Sequence, residues 1–176
     1  KGPLGVIPSS VKPMSYRPNI ADAFTNLNIA VMECKGTVTP EFKRLIGYVT
    51  SFSSGCLYCQ AHTILGAERF GSTKERMEEV WNYSKSSVFS DAEKAALDFA
   101  FAAASVPNKV NTKEITELKK YWDDNDIVEI MGVISLFGFL NRWNDSMGSA
   151  LEDLPIEKGE KYLRGNTNWA PGKHRI

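Results

Sequence analysis

Residues 39–71 read TPEFKRLIGYVTSFSSGCLYCQAHTILGAERFG, and their reading decides the fold. Thr39 is a helix N-cap, Pro40 fits the first helical position, and Glu41 suits the positive end of the helix dipole. Leu45, Ile46, Tyr48, Val49 and Phe52 then recur at helical spacing. Ser53-Ser54-Gly55 breaks that helix. A second is expected from the cysteine segment to Phe70, stopped by Gly71. The core is therefore two helices around Cys56-Leu57-Tyr58-Cys59-Gln60-Ala61-His62.

The pattern stays helical on both sides. Upstream, Ile20, Ala23, Phe24, Leu27, Ala30 and Val31 share one helical period. Downstream, Ser72 or Thr73 caps a short helix through Met77 and Trp81, and Ser90 with Glu93 makes a capping box for a helix to about Ser105. Thr112 opens another. Asp124 or Asn125 opens a long apolar helix to about Asn144, and a short piece is expected over Met147 to Leu151. No alternating apolar–polar run marks a strand, and no repeat is present. The fold class is all-α, a single-domain bundle of about seven or eight helices over residues 19–164. Residues 1–18 hold four of the eight prolines (Pro3, Pro8, Pro13, Pro18) and read as an extended arm, able to wrap a neighbouring subunit. Residues 165–176 read as a second arm, in which the large ring of Trp169 calls for docking.

Composition narrows the function. The 176 residues suit one domain with a real core. Lys plus Arg and Asp plus Glu number 21 each, and no basic run marks a nucleic-acid footprint. No apolar stretch approaches a membrane span of roughly 18 residues, and Lys1–Ser10 lacks the apolar region of a secretory leader. Three cysteines, two of them close and Cys34 alone, do not make a disulfide framework. They point to a reducing, cytoplasmic compartment, where paired cysteines serve chemistry.

Cys56, Cys59 and His62 are spaced by three and lie along one helix face. The break at Ser53-Ser54-Gly55 puts the thiols at a helix N-terminus, where free backbone N–H groups and the dipole favour a thiolate. A histidine one turn on can relay its proton. Two bland readings compete. Free cysteines are often buried small hydrophobes, and Cys-x2-Cys-x2-His supplies three ligands of a tetrahedral metal site, with a fourth needed from Cys34 or His174. No second ligand pair follows, so the redox reading is preferred, with no metal and no cofactor.

Ser54-Gly55-Cys56-Leu57-Tyr58-Cys59-Gln60-Ala61-His62-Thr63 resembles the signature of the alkylhydroperoxidase D-like group within the carboxymuconolactone decarboxylase superfamily. Gly138-Phe139-Leu140-Asn141-Arg142-Trp143-Asn144-Asp145 is similar to a stretch in its peroxidase-related members. The resemblance implies an all-helical homo-oligomer and a peroxidase cycle. Cys59 would attack the peroxide, Cys56 would resolve the sulfenic acid as a disulfide, His62 would relay protons, and an external dithiol would reduce the disulfide. The superfamily also holds non-redox decarboxylases acting on small carboxylates or lactones, which is the alternative. Relatives carry a glutamate twelve residues before the first cysteine and often place the histidine four residues after the second. Here Arg44 takes the first position and the histidine spacing is three. Arg44 then either faces the site, favouring a thiolate or an anionic substrate, or is simply solvated or ion-paired. Asp145 is either a replacement acid or a helix cap. Tyr58 either lines the substrate pocket or packs in the core.

Overall fold

The computed structural model describes residues 4–33 and 35–175. Cys34, read from sequence as an incidental thiol, lies outside them, as do Lys1 to Pro3 and Ile176. Among the described residues there are ten α-helices, two short 3-10 helices and no strands. The all-α expectation therefore holds, with more helices than the seven or eight expected.

The hairpin is the centre. Helix α3 (Pro40–Ser53) starts where its caps predict, with Thr39 accepting from the Phe42 N–H at 3.1 Å. Helix α4 (Leu57–Arg69) runs back along it, so that Arg44 lies against Gly66 and Gln60 reaches the Ser51 carbonyl. Around this pair pack α6 (Asp91–Ala104) on α3, the long α8 (Asp124–Met147) across both, and α9 (Asp153–Tyr162) on α4. Helix α2 (Pro18–Met32) lies on α8. The small helices α5 (Lys74–Glu79), with a 3-10 turn over Val80–Lys85, and α7 (Thr112–Leu118) close the far end. Capping boxes at Ser90–Glu93, Asn111–Glu114 and Asp123–Asp126 start α6, α7 and α8. The α7 and α8 caps each lie one residue ahead of the start expected from sequence.

Buried charges tie the elements together. Lys43, fully buried, reaches Glu129 of α8 at 2.6 Å and the Val31 carbonyl of α2 at 2.9 Å. Arg76 bridges Glu41 of α3 at 3.0 Å and Glu93 of α6 at 2.6 Å. Such partners are what make a buried cation tolerable.

The two arms are less extended than expected. The N-terminal one forms α1 (Val11–Met14), and Met14 is fully buried. The C-terminal one forms α10 (Arg164–Thr167) and a 3-10 turn over Gly172–His174. Trp169 is docked as expected, its ring against Gly159 and its Nε1 donating to the Leu57 carbonyl at 3.1 Å. The short piece expected over Met147–Leu151 is instead a break: Gly148 ends α8 in the left-handed region at φ 59°, and α9 starts at Asp153. Pro155 lies in the first turn of α9, where proline is tolerated.

The crossing of α3 and α8 is closest at Gly47, where an added Cβ would lie 2.5 Å from the buried Phe137 ring. Alanine gains about 1 kcal/mol over glycine in helix propensity, but overpacking a rigid ring costs about 1–3 kcal/mol. Gly47→Ala is therefore expected to lower stability, read as a reduced denaturation midpoint. A higher midpoint would show that the two helices separate easily.

Candidate active site

Helix α4 carries the site. Gly55, at φ 75°, turns the chain so that Cys56 becomes the N-cap. The Cys56 Sγ accepts from the Cys59 N–H at 3.4 Å. It thus takes one of the helix's unpaired donors, as a serine or aspartate cap would. Both cysteines are free thiols and both are buried. The sequence placed the pair at a helix N-terminus, and the structure shows which thiol gains from it. Cys56 is held below its ordinary value, first by the hydrogen bond from the Cys59 thiol and then, against burial, by the Cys59 N–H. Cys59 is pushed up, chiefly by burial and then by its bond to Cys56 and that sulfur's charge, with the Asn144 amide pulling the other way.

Cys59 opens onto a cavity of about 220 Å³, and Cys56 does not line it. The Asn144 Nδ2 donates to the Cys59 Sγ at 3.4 Å. Its orientation is fixed, because the Ser149 hydroxyl donates to the Asn144 Oδ1 at 2.9 Å. Sequence reading quoted Asn144 without giving it a role. The available signal was its place on α8: Ile130, Val133, Ile134, Phe137, Asn141 and Asn144 form one buried stripe that turns polar at its end.

His62 also lines the cavity. Its Nε2 lies 2.8 Å from the Glu152 Oε2, off the hydrogen-bonding direction, so the contact is electrostatic in this arrangement. A carboxylate beside Nε2 favours a proton there, and the buried Nδ1 has no partner among the described residues. Burial works to raise the Glu152 carboxyl. The His62 ring, the Ser9 N–H and its own N–H outweigh that and hold it below the usual carboxylate range. Sequence reading missed Glu152. It offered Asp145 as either a replacement acid or a helix cap; that carboxylate pairs with Lys173 at 2.9 Å, lies 3.6 Å from the His174 Nε2, and its charge acts to raise both Cys56 and Cys59. Glu152 is the N-cap of α9 but makes no capping bond with its side chain, which serves His62.

Tyr58 both packs and lines the cavity. Its ring lies 4.4 Å from the His62 ring, and its hydroxyl accepts from the Ser10 N–H at 3.3 Å and lies 3.5 Å from the Glu152 Oε1. Burial pushes this phenol up to about 12, so it stays a donor toward Glu152. The N-terminal arm takes part directly: the Ser9 N–H donates to the Glu152 Oε1 and the Ser9 hydroxyl to the Ala150 carbonyl. His174, given no role from sequence, is fully buried, with Nδ1 2.8 Å from the Ser149 carbonyl oxygen and its ring 5.7 Å from that of Tyr58.

Arg44 faces the cavity. Its stem lies along Gly66 and its guanidinium sits 5.0 Å over the Phe70 ring. Burial lowers it to about 10, opposed by the charge of Glu33. Among the described residues no group of three His, Cys, Asp or Glu side chains is placed to hold a metal ion.

A model of the carboxymuconolactone decarboxylase family matches residues 18–102. The fold is similar to that of the debrominase Bmp8, solved as a cysteine-to-alanine variant in complex with 2,3,4-tribromopyrrole. That likeness has a TM-score of 0.87 and 30% identity over 91% of this chain and 85% of that one. A peroxidase-related protein from Ralstonia eutropha JMP134, described as an alkylhydroperoxidase AhpD core, has a TM-score of 0.76 and 25% identity, over 93% of this chain and 83% of its own. The uncharacterized protein YnjA of Escherichia coli is 32% identical over 103 residues, 58% of this chain and 53% of YnjA. The match thus spans about half of YnjA's length.

Because the Glu152 carboxyl is depressed, it adds stability that is present above the unfolded carboxylate value, about 4.3, and is lost as pH falls through the folded one. Glu152→Gln is expected to be less stable than the native protein at pH 7. The gap should close on acidification below about pH 4.3, as thermal melts across pH would show. A gap constant with pH would mean that packing, not the charge, is what the substitution removes.

Proposed function

Because the chain belongs to the carboxymuconolactone decarboxylase superfamily, and its fold is similar to that of an alkylhydroperoxidase D-like protein, we propose that it is a dithiol-dependent reductase. In this reading Cys59 is the attacking thiol and Cys56 the resolving one. One observation carries it: only Cys59 opens to the cavity, while Cys56 lies behind it within hydrogen-bonding reach.

Burial disfavours the Cys59 thiolate, and Cys56 is the more readily ionised of the two. Passing the Cys59 proton across the hydrogen bond to the Cys56 sulfur, or to the His62 Nδ1, creates the nucleophile. With a hydroperoxide, the Cys59 thiolate attacks the terminal oxygen and the O–O bond breaks. The alkoxide leaves as the alcohol, taking one proton, and Cys59 becomes a sulfenic acid. The Cys56 thiol then displaces hydroxide from that sulfur, forming the disulfide and water. An external dithiol restores both thiols by exchange and is itself oxidised. The Asn144 amide steadies the Cys59 sulfur while it is anionic, and Glu152 holds the His62 ring in orientation.

A second reading is favoured by the apolar wall, which includes Phe24, Phe137 and Leu140, and by the likeness to Bmp8. The Cys59 thiolate would take the halogen from a small haloaromatic ring while the ring carbon gains a proton. Cys56 would then release halide and form the same disulfide. Both readings consume two thiols per turnover. A homo-oligomer is part of the proposal: Ile20 and Leu27 on α2 and Phe139 on α8 leave apolar surface exposed. Among the described residues no helix is long and apolar enough to cross a membrane.

Turnover with cumene hydroperoxide or tribromopyrrole and a dithiol tests this. Cys59→Ser is expected to abolish it. Cys56→Ser should stop after one event, leaving a Cys59 sulfenic acid that dimedone traps. His62→Ala should slow it by about 10²-fold or more. Undiminished turnover in Cys59→Ser would sink the proposal. Activity on a small lactone or carboxylate that survives loss of both cysteines would establish the decarboxylase-like alternative.

A further inference from the structure

The cations buried in the body of this protein have carboxylate partners. Lys43 has Glu129 at 2.6 Å, Arg76 has Glu41 and Glu93, and Lys158 has Glu68 at 2.9 Å. Arg44 does not fit that pattern. Its guanidinium makes no ion pair and no hydrogen bond with any described residue, and its Nε is buried without a partner. What it has is an aromatic face at 5.0 Å and the field of Glu33. A desolvated cation without a partner is unfavourable unless something completes it.

Arg44 lines the cavity that the Cys59 sulfur lines. The rest of the wall includes the apolar Phe24, Phe137, Leu140 and Val11, the amides of Asn28 and Asn144, and the His62 ring. Glu152 and Glu33 are not part of it. Arg44 is thus the one permanent charge on the wall among the described residues, and its position is built. Gly66 leaves the groove in which its stem lies, since a Cβ there would be 3.0 Å from the Arg44 Cδ.

We propose that Arg44 sets the substrate class of this cavity: a small organic anion, with an apolar ring or chain carrying one carboxylate or an equally acidic group. The acidic end meets the guanidinium, and the reducible end faces Cys59. The planar fork matches two oxygens of a carboxylate, and in a site shielded from water such a charge-assisted pair is strong. The apolar wall holds the body of the molecule. The class excludes hydrogen peroxide as the preferred oxidant, because it offers neither body nor charge. The inference rests on Cys59 being the reacting thiol, but its test does not need turnover.

The experiment is calorimetric binding of benzoate and of benzamide to the reduced protein at pH 7, together with the rate at which iodoacetamide alkylates Cys59 in their presence. The two probes share a ring and differ in charge. Benzoate is expected to bind at least about tenfold tighter and to slow alkylation of Cys59. Arg44→Met should remove the preference, and Arg44→Lys should keep part of it. Equal binding of the two probes by the native protein overturns the proposal without recourse to a variant. So does benzoate binding that leaves Cys59 alkylation unchanged, or a preference that persists in Arg44→Met. Arg44-dependent benzoate binding in a protein inert to cumene hydroperoxide, to tribromopyrrole and to a carboxylate-bearing hydroperoxide such as linoleic acid hydroperoxide would sink the dithiol chemistry and keep this inference. Turnover without the preference would do the reverse.

Discussion

The middle of helix α4 is buried on every side. Every residue from Tyr58 to Ala67 is buried, yet the run includes Cys59, Gln60, His62 and Thr63. A polar group taken out of water needs a partner, so the elements around α4 are constrained by what its side chains require. Thr63 turns back to the Cys59 carbonyl at 2.9 Å, Gln60 reaches α3, Cys59 receives Asn144 from α8, and His62 receives Glu152 from the start of α9. Cys59 and His62 are thereby held from two different elements, α8 and the start of α9.

That burial explains what could be read in the sequence and what could not. The local signals were legible: Thr39-Pro40, the Ser90–Glu93 box, Gly71 and the cysteine motif all act within a few residues of themselves. The partners of α4 were not, because they come from 85 to 94 residues away in Asn144 and Glu152's contact with Tyr58. Glu152 was doubly hidden. It stands where a helix start would show a capping residue, but its side chain is turned to the site. Asp145 looked the better acid because it follows the Asn-Arg-Trp-Asn run. Its place on α8 directs it toward Lys173 and His174 instead.

The same separation accounts for the thiol pair. Sequence puts both cysteines at a helix N-terminus and leaves them alike. Structure divides them. The cap position gives Cys56 the backbone donor, and the next turn of the helix gives Cys59 the cavity. The sulfur whose ionisation is favoured is thus the one away from the cavity, and burial disfavours ionisation of the one that lines it.

Both ends of the chain close over α4. Ser9 and Ser10 hold Glu152 and Tyr58, and residues 4–11 supply part of the cavity roof. At the other end Trp169 fastens the Leu57 carbonyl, and His174 lies against Tyr58. The order of synthesis then matters to the chemistry. When the cysteines are added to the growing chain, more than a hundred of its residues, His174 among them, are still to be made. The surroundings of His62 are thus set from both ends of the chain: the Ser9 N–H holds Glu152 from one side, and the His174 carbonyl accepts from the Leu151 N–H beside it from the other.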